Sequence, residues 1–556
     1  MLIAPGFEHL VLPNPCIMRN LGIRNLCIPL LTLIPSLGIG QAAVLVKNIH
    51  PSGGSYPEEL TDMNNMLYFR ANDLTHGVEL WRSDGTNEGT QLVLDINPGG
   101  GSGPELLTSV NGLLYFRAND GVHGEELWVS DGTAEGTNLV LDINPSGSSA
   151  PSFLTEMNGV LFFAANDGEH GVELWRSDGT SAGTQMVLDI QAPGTSEPMF
   201  LINYDDALYF SALDSVNGRE LWTSDGTQAG TQILLDMNPQ GSSDPKNFEV
   251  SNGILFFQAR EAPGSGIELW SSNGTSDGTA LVKDINQNGN SAPEELTDVG
   301  GILFFRATDG ESGVELWKSD GTSNGTVMVK DINASVGSNP QELADFDGTL
   351  FFSATDGLVG HELWRSDGTE SGTVLVKDIN PMGSSNSTPQ FLTVYDNALY
   401  FRSTDGVNGM ELWVSDGSEA GTYLAADINP VGSGDPQFLT VSENILFFQG
   451  NNGSSGHELW KLDMTNAVND LAFEDQFAVY PNPVSDIVNI RPTNDLGDRV
   501  HDVSIFDQVG RIILAYRTPL HKETISLDVK DLSEGLYFII LLDRRGRSNI
   551  KKFLKL

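Results

Sequence analysis

From residue 105 to residue 143 the chain alternates short apolar runs with turn-forming residues, a pattern that predicts four strands. Residues 105–110 form the first. Asn111-Gly112 then signals a hairpin, because both central residues of such a turn need positive φ. Asn158-Gly159, Asn252-Gly253 and Asp347-Gly348 fill the same slot further along. The run 113–118 is apolar on both faces, as in a sheet covered on both sides. Residues 119–124 turn, 126–129 form a third strand, 130–137 a tight connection and 138–143 a fourth strand. Residues 144–151 then lead to the next repeat, and no helical periodicity of any length intrudes.

Each third strand contains Glu-Leu-Trp, ending at Trp81, Trp128, Trp175, Trp222, Trp270, Trp317, Trp364, Trp413 and Trp460. The spacing is 47 to 49 residues, and these are all nine tryptophans of the chain. A fixed period of this size decides the fold before any local assignment does. It predicts an all-β chain: a β-propeller of nine four-stranded repeats of ~47 residues. The ends of the array point to end-to-end ring closure. Residues 43–49 match a fourth strand alone, and after Trp460 the motif is abandoned with no fourth strand following. Pairing those ends would leave no open edge. Nine blades exceed the usual range of about four to eight, so a split array is the alternative.

Glu and Trp share one face of the strand while Leu faces the other. A tryptophan in every repeat suits packing between neighbouring blades, each burying about 200 Å², better than a ligand site. The nine buried glutamates need partners; backbone N–H groups or Thr hydroxyls of the following Asp-Gly-Thr connection are expected to supply them. That connection also invites a calcium reading. Each loop offers only one carboxylate (Asp84, Asp131, Asp178, Asp225, Asp320, Asp367, Asp416), and Asn273 replaces it once. Calcium takes six to eight oxygens, and a side chain capping its own turn explains Asp-Gly as well. No cofactor is expected, with calcium the one candidate ion. His76, His123 and His170 occupy one turn position in three successive repeats. Equivalent positions in stacked sheets lie about 10 Å apart, too far to share a zinc, so these are expected to be surface turn residues. The loops 119–124 and 144–151 emerge at one end of the blade, the Asn-Gly and Asp-Gly-Thr turns at the other. A ligand at the central opening is expected at the first end, where Arg260-Glu-Ala-Pro-Gly264 is the clearest irregularity.

Charge narrows the classes of partner. The chain carries a formal −44, and residues 42–473 hold 16 basic against 61 acidic side chains, a net −45. Such a field repels nucleic acid and anionic lipid. The only cysteines, Cys16 and Cys27, precede the repeats. They fall in residues 1–40, where Arg19 and Arg24 precede an apolar run ending in small residues, the pattern of a secretory signal peptide. Met18 is a candidate true start. The apolar run, broken by Pro29 and Pro35, is too short to span a membrane, and no later stretch is a transmembrane segment.

The expected boundaries are a propeller over 43–465, a linker over 466–476 and a small β-sandwich-like module over 477–556. In that module Tyr480-Pro481-Asn482-Pro483, the Gly510-Arg511 turn and Gly535-Leu536-Tyr537 follow one another between alternating strands. It resembles the type A C-terminal sorting domain of the type IX secretion system of Bacteroidetes-type bacteria. That resemblance implies type IX secretion machinery as a partner and a secreted or outer-surface destination. The array is similar to the ELWxxDGT repeat family, which carries little known function. No nucleophile–histidine–acid set and no phosphate-binding glycine loop stands apart from the repeat, so no catalytic residue is assigned. The expected function is a surface or secreted propeller that binds a glycan, protein or polymer as an adhesin; the alternative is an extracellular polysaccharide hydrolase or lyase.

Overall fold

The computed structural model describes residues 42–463 except 263 and, further on, 477–481, 483–492, 500–506, 512–517, 525–530, 532–533, 535–543 and 548–556. The expected signal peptide, both cysteines, the expected linker, Asn482, Gly510 and Arg511 lie outside the described residues. Among the described residues every regular element is a strand, and no helix is long and apolar enough to cross a membrane.

The chain is all-β. Before residue 464 it forms nine four-stranded antiparallel sheets. In the first repeat, Glu58–Met63, Met66–Asn72, Val78–Ser83 and Gln91–Leu94 pair in sequence order. The hairpin between the first two strands of the second repeat has Asn111 at φ 51° and Gly112 at φ 78°, both positive as a tight hairpin turn requires. Leu67, Tyr68 and Phe69 are consecutive and all buried, so both faces of the sheet are covered. The cover is the neighbouring repeat. Trp128 of the second repeat packs with Met63, Tyr68 and Leu80 of the first, and Trp81 of the first packs with Phe447 and Leu459 of the ninth.

The fourth strand is shorter than its apolar pattern. In the second repeat it spans Asn138–Leu141 rather than reaching residue 143. The reason is a competing acceptor: the Ile143 N–H donates to Glu126 Oε2 at 3.1 Å instead of joining the ladder.

At the ends of the array, Ala42–Lys47 pairs antiparallel with His457–Asp463, with Leu45 opposite Trp460. It serves as fourth strand to a sheet whose other members are Gln437–Ser442 and Ile445–Asn451. The first strand of each repeat, its inner strand, touches the inner strand of the next, and Gln437–Ser442 touches Glu58–Met63. Ser442 Oγ donates to Asp62 Oδ1 at 2.5 Å across that contact.

After residue 476 a three-stranded sheet (Phe477–Tyr480, Ile487–Pro492, Ile525–Asp528) and a four-stranded sheet (Ile512–Arg517, Val500–Phe506, Gly535–Asp543, Ser548–Lys555) form the small module. Val488, Ile490 and Leu527 of one sheet share a buried core with Val503, Ile505, Ile539 and Phe553 of the other.

Candidate functional site at the inner strands

The nine tryptophans are 5% to 8% exposed, each between two repeats. Their indole N–H groups are buried and find no acceptor among the described residues, so these side chains contribute apolar area rather than polar contacts. The glutamate two places earlier is buried in all nine repeats. Glu126 accepts from Ser149 N at 2.8 Å and Ser149 Oγ at 2.5 Å, besides Ile143 N. Glu173 takes Ile190 N, Ser196 N and Ser196 Oγ at 2.9, 2.9 and 2.6 Å, and Glu458 takes Ile49 N at 3.0 Å and Ser55 Oγ at 2.6 Å. The acceptor role matches expectation, but the partners do not. Glu stands at the start of its strand, while the Asp-Gly-Thr turn follows the strand's end; its donors come from the segment entering the next repeat. The threonine that closes the turn instead pairs locally, Ser83 Oγ with Thr90 Oγ1 at 2.7 Å. Burial pushes the glutamates up despite these donors, Glu220, Glu362 and Glu411 to about 7.

The Asp-Gly-Thr loops are side-chain-capped turns. Asp84 Oδ1 accepts from Thr86 N at 2.8 Å and Thr86 Oγ1 at 2.7 Å, and Gly89 N donates to Thr86 Oγ1 at 2.9 Å. A Cβ on Gly89 would lie 2.0 Å from Asp84 Oδ1, which explains the second glycine of the motif. Asn273 makes the same turn, accepting from Thr275 N at 3.1 Å and Thr275 Oγ1 at 2.7 Å, so the loop does not need a charge. His76, His123 and His170 each hold the aspartate of their own turn, Nδ1 lying 2.6, 2.7 and 2.7 Å from Asp73, Asp120 and Asp167. That hydrogen bond raises each imidazole above its ordinary value.

The feature that sequence reasoning missed lies on the inner strands. Each is entered through Pro-x-X, the strand starting at x, and X is Glu59, Leu106, Phe153, Phe200, Asn247, Glu295, Glu342, Phe391 and Phe438 in turn. All nine have positive φ, between 53° and 60°. Glycine and asparagine suit that region; only Asn247 is of that kind. The pairing register slips at this point, between Glu58 and Thr61 in the first repeat, so X is the extra residue of a bulge. In six repeats a threonine two places on caps the freed carbonyl, as where Thr393 Oγ1 donates to Phe391 O at 3.0 Å and Thr440 Oγ1 to Phe438 O at 3.0 Å. Neighbouring repeats are also linked through X. Leu106 N donates to Glu59 Oε2 at 2.9 Å, and Phe391 N to Glu342 Oε2 at 2.8 Å. Phe153 packs on Phe200 with centroids 5.4 Å apart, and Phe391 on Phe438 at 5.7 Å.

Four of these residues, Glu342, Phe391, Phe438 and Glu59, line one cavity of about 510 Å³. The inner strands of Phe391 and Phe438 lie between those of Glu342 and Glu59 in the chain of neighbours, and all four strands contribute to the cavity. X sits near the end of the strand fed by the inter-repeat segment, the end where sequence placed a ligand. The signal was legible in principle: an invariant proline followed, two places on, by a slot whose chemistry changes from repeat to repeat. A second cavity, of about 200 Å³, lies beside the irregular loop after Arg260 and is lined by Glu261, Glu268, Trp270 and Asp284.

Of the residues singled out in the C-terminal module, Gly535 pairs with Lys555, which on its other side bridges Val484 next to Pro483. Tyr480 is exposed beneath the Arg491 guanidinium, 5.6 Å from its ring centroid. Pro481 and Pro483 are exposed after it, and Gly535 opens a strand. Tyr537 is buried, stacked on Phe553 at 5.6 Å, and donates to Ser533 O at 3.0 Å.

No curated protein matches the chain. Among solved structures it is similar to PorZ, a bacterial surface component of the type-IX secretion system of Porphyromonas gingivalis, with 14% identity and TM-score 0.36 over 89% of this chain and 75% of that one. It is similar to a prolyl endopeptidase, with 12% identity and TM-score 0.34 over 62% of this chain and 54% of that one, so it spans about half that enzyme's length. It is also similar to the β-propeller domain of the Trilobed protease of Pyrococcus furiosus, with 10% identity and TM-score 0.31 over 58% of this chain and 97% of that one. Likenesses this loose leave the strand pairing of the chain itself as the ground for its fold. The C-terminal segment is different: residues 478–555 match the family model for the secretion system C-terminal sorting domain, and the chain therefore ends in a type IX secretion sorting domain.

Proposed function

We propose that the chain is an exported binding protein in which nine blades (residues 43–465) close into one propeller, presented at the cell surface or released by type IX secretion. The sorting domain supports the route. The observation that carries the binding reading is the variable X slot. Eight large or charged side chains are held there at positive φ, each at a cost of roughly 1 kcal/mol, where glycine would fit freely. A position retained for packing alone would keep one residue type, as the tryptophans do. The ligand is a glycan or protein met at the inner-strand cavity, and adhesion is the role this reading favours.

The experiment is retention of the purified chain on a panel of immobilised polysaccharides and surface proteins, with and without calcium. Retention without cleavage that weakens in an X-slot variant supports the reading; retention indifferent to the X slot overturns it.

A hydrolase or lyase is the second reading, supported by the cavity at the fifth repeat. There Glu268, raised by burial and by the nearby charge of Asp284, lines the cavity and is 4% exposed where its eight counterparts are 0%. Chain scission lost in Glu268→Gln would favour it.

A further inference from the structure

We propose that the cavity between Glu342 and Glu59 is a receptor for a lysine or arginine side chain of a partner protein, an inference that rests on the binding reading above and names its ligand chemistry.

Four consecutive repeats present, in circuit order, a carboxylate, two phenyl rings and a carboxylate: Glu342, Phe391, Phe438 and Glu59. The two rings are tilted by 56° with centroids 5.7 Å apart, leaving apolar faces for an aliphatic stem. What decides the ligand is the balance of donors and acceptors. The Phe391 N–H is engaged by Glu342, while Glu59 accepts from Leu106 N, outside the cavity lining. The hydroxyls of Thr393 and Thr440 donate to the carbonyls of Phe391 and Phe438. No lysine, arginine or histidine is among the described residues lining the cavity. The side-chain hydroxyls of the lining, those of Thr61, Thr393 and Thr440, are thus already donating, and what the lining offers is carboxylate acceptors and ring faces. A sugar hydroxyl, which is donor and acceptor at once, would find no free side-chain donor for its acceptor side. Ammonium and guanidinium groups bring donors only, and each is attracted to aromatic faces.

The charge around the cavity points the same way. Burial first, then the like charge of Glu295, pushes the Glu342 carboxyl up, with Arg402 offsetting part of this. Glu342 and Glu59 make no ion pair among the described residues, whereas the neighbouring Glu58 is held by Arg70. The opposite side of the circuit supplies an internal control. Phe153 and Phe200 make a second aromatic pair of similar geometry, 5.4 Å apart, but they are flanked by Leu106 and Asn247 and lack the carboxylates.

The test is fluorescence anisotropy with the full chain and a labelled hexapeptide, Gly-Ser-Lys-Lys-Ser-Gly, at roughly physiological salt, where long-range attraction to the acidic surface is screened. The same peptide with both lysines acetylated, and free spermidine as competitor, complete the set. The unmodified peptide is expected to bind at least about tenfold more tightly than the acetylated one. The double variants Glu59→Gln with Glu342→Gln, and Phe391→Leu with Phe438→Leu, are expected to lose about tenfold, while Phe153→Leu with Phe200→Leu changes nothing. Equal binding of the acetylated peptide, which needs no variant to measure, overturns the proposal. So does equal loss in the Phe153/Phe200 pair, or displacement by spermidine at concentrations below those of the peptide. If a neutral oligosaccharide binds and the Glu59/Glu342 variant abolishes that instead, the ligand assignment fails while the binding reading stands. If neither peptide nor oligosaccharide responds to any X-slot variant, both fail.

Discussion

The glutamate of the third strand and the residue two places after the inner-strand proline both recur in all nine repeats, yet only the first keeps its identity. Glu126 and its counterparts are buried acceptors for the segment entering the next repeat. Every blade faces the same polar problem there, and one residue type solves it nine times. The inner slot has a common backbone, φ between 53° and 60°, and no common chemistry: three glutamates, four phenylalanines, a leucine and an asparagine. Identity held under geometric demand is the mark of a structural position. Identity that varies while an awkward geometry persists places the freedom, and with it the candidate site, on the inner face.

The most direct way to break this comparison is to attack the structural side. Trp317→Ala opens a large cavity between two blades and is expected to cost about 3–5 kcal/mol in urea denaturation. Glu173→Gln cannot serve all three of its donors and adds an amide N–H with no assigned acceptor; about 1–3 kcal/mol should be lost. If that variant melts like the parent, the stitch between blades is not what the glutamate is for.

The same glutamates set a pH dependence. Burial raises Glu220, Glu362 and Glu411 from the ordinary 4.5 to about 7. A carboxyl whose folded pKa exceeds its unfolded one stabilises the fold fully below the lower value, and this stabilisation is lost as pH rises through the higher. Stability measured by denaturation should therefore fall between about pH 4.5 and 7. Relief of general acidic repulsion has the same sign, so the discriminating measurement is Glu362→Gln, which should flatten the slope. An unchanged slope would assign the whole effect to surface charge.

Repetition made most of the fold legible. Asn-Gly hairpins, two-faced apolar strands and a tryptophan every 47 to 49 residues repeat the same evidence nine times, and a strand missed in one repeat is recovered from the next. What stayed hidden was pairing decided in three dimensions. Asp142 and Ile143 read as strand by composition, yet the Ile143 amide belongs to Glu126. The partner of each glutamate is a serine 23 residues on in most repeats, as in Glu126 and Ser149, and no local rule selects that distance. The inner slot was hidden for a different reason. Phenylalanine and glutamate do not favour positive φ, so their identity argues against the conformation they adopt. Only the aligned proline marks the place.

That conflict between identity and geometry gives the comparison its sharpest small tests. Glu295 is exposed at φ 56°, and its carbonyl, held by Thr297 Oγ1 at 3.1 Å, does not depend on the side chain. Glu295→Gly should raise stability by about 0.5–1 kcal/mol, because glycine adopts this region without strain; a loss would mean the side chain packs for the fold after all. At the opposite end of the blade the expected effect is smaller still. Asp178 caps its turn through Thr180 N at 2.9 Å and Thr180 Oγ1 at 2.7 Å, the contacts that Asn273 makes in the fifth repeat. Asp178→Asn should therefore shift stability by less than about 0.5 kcal/mol, whereas Asp178→Ala loses the cap and about 0.5–1.5 kcal/mol. Melting with calcium and with a chelator separates a turn from a metal loop. A turn leaves the order Asp, Asn, Ala unchanged in both conditions. A calcium-dependent gap between Asp and Asn would move the Asp-Gly-Thr loop from the structural side of the comparison to the functional one.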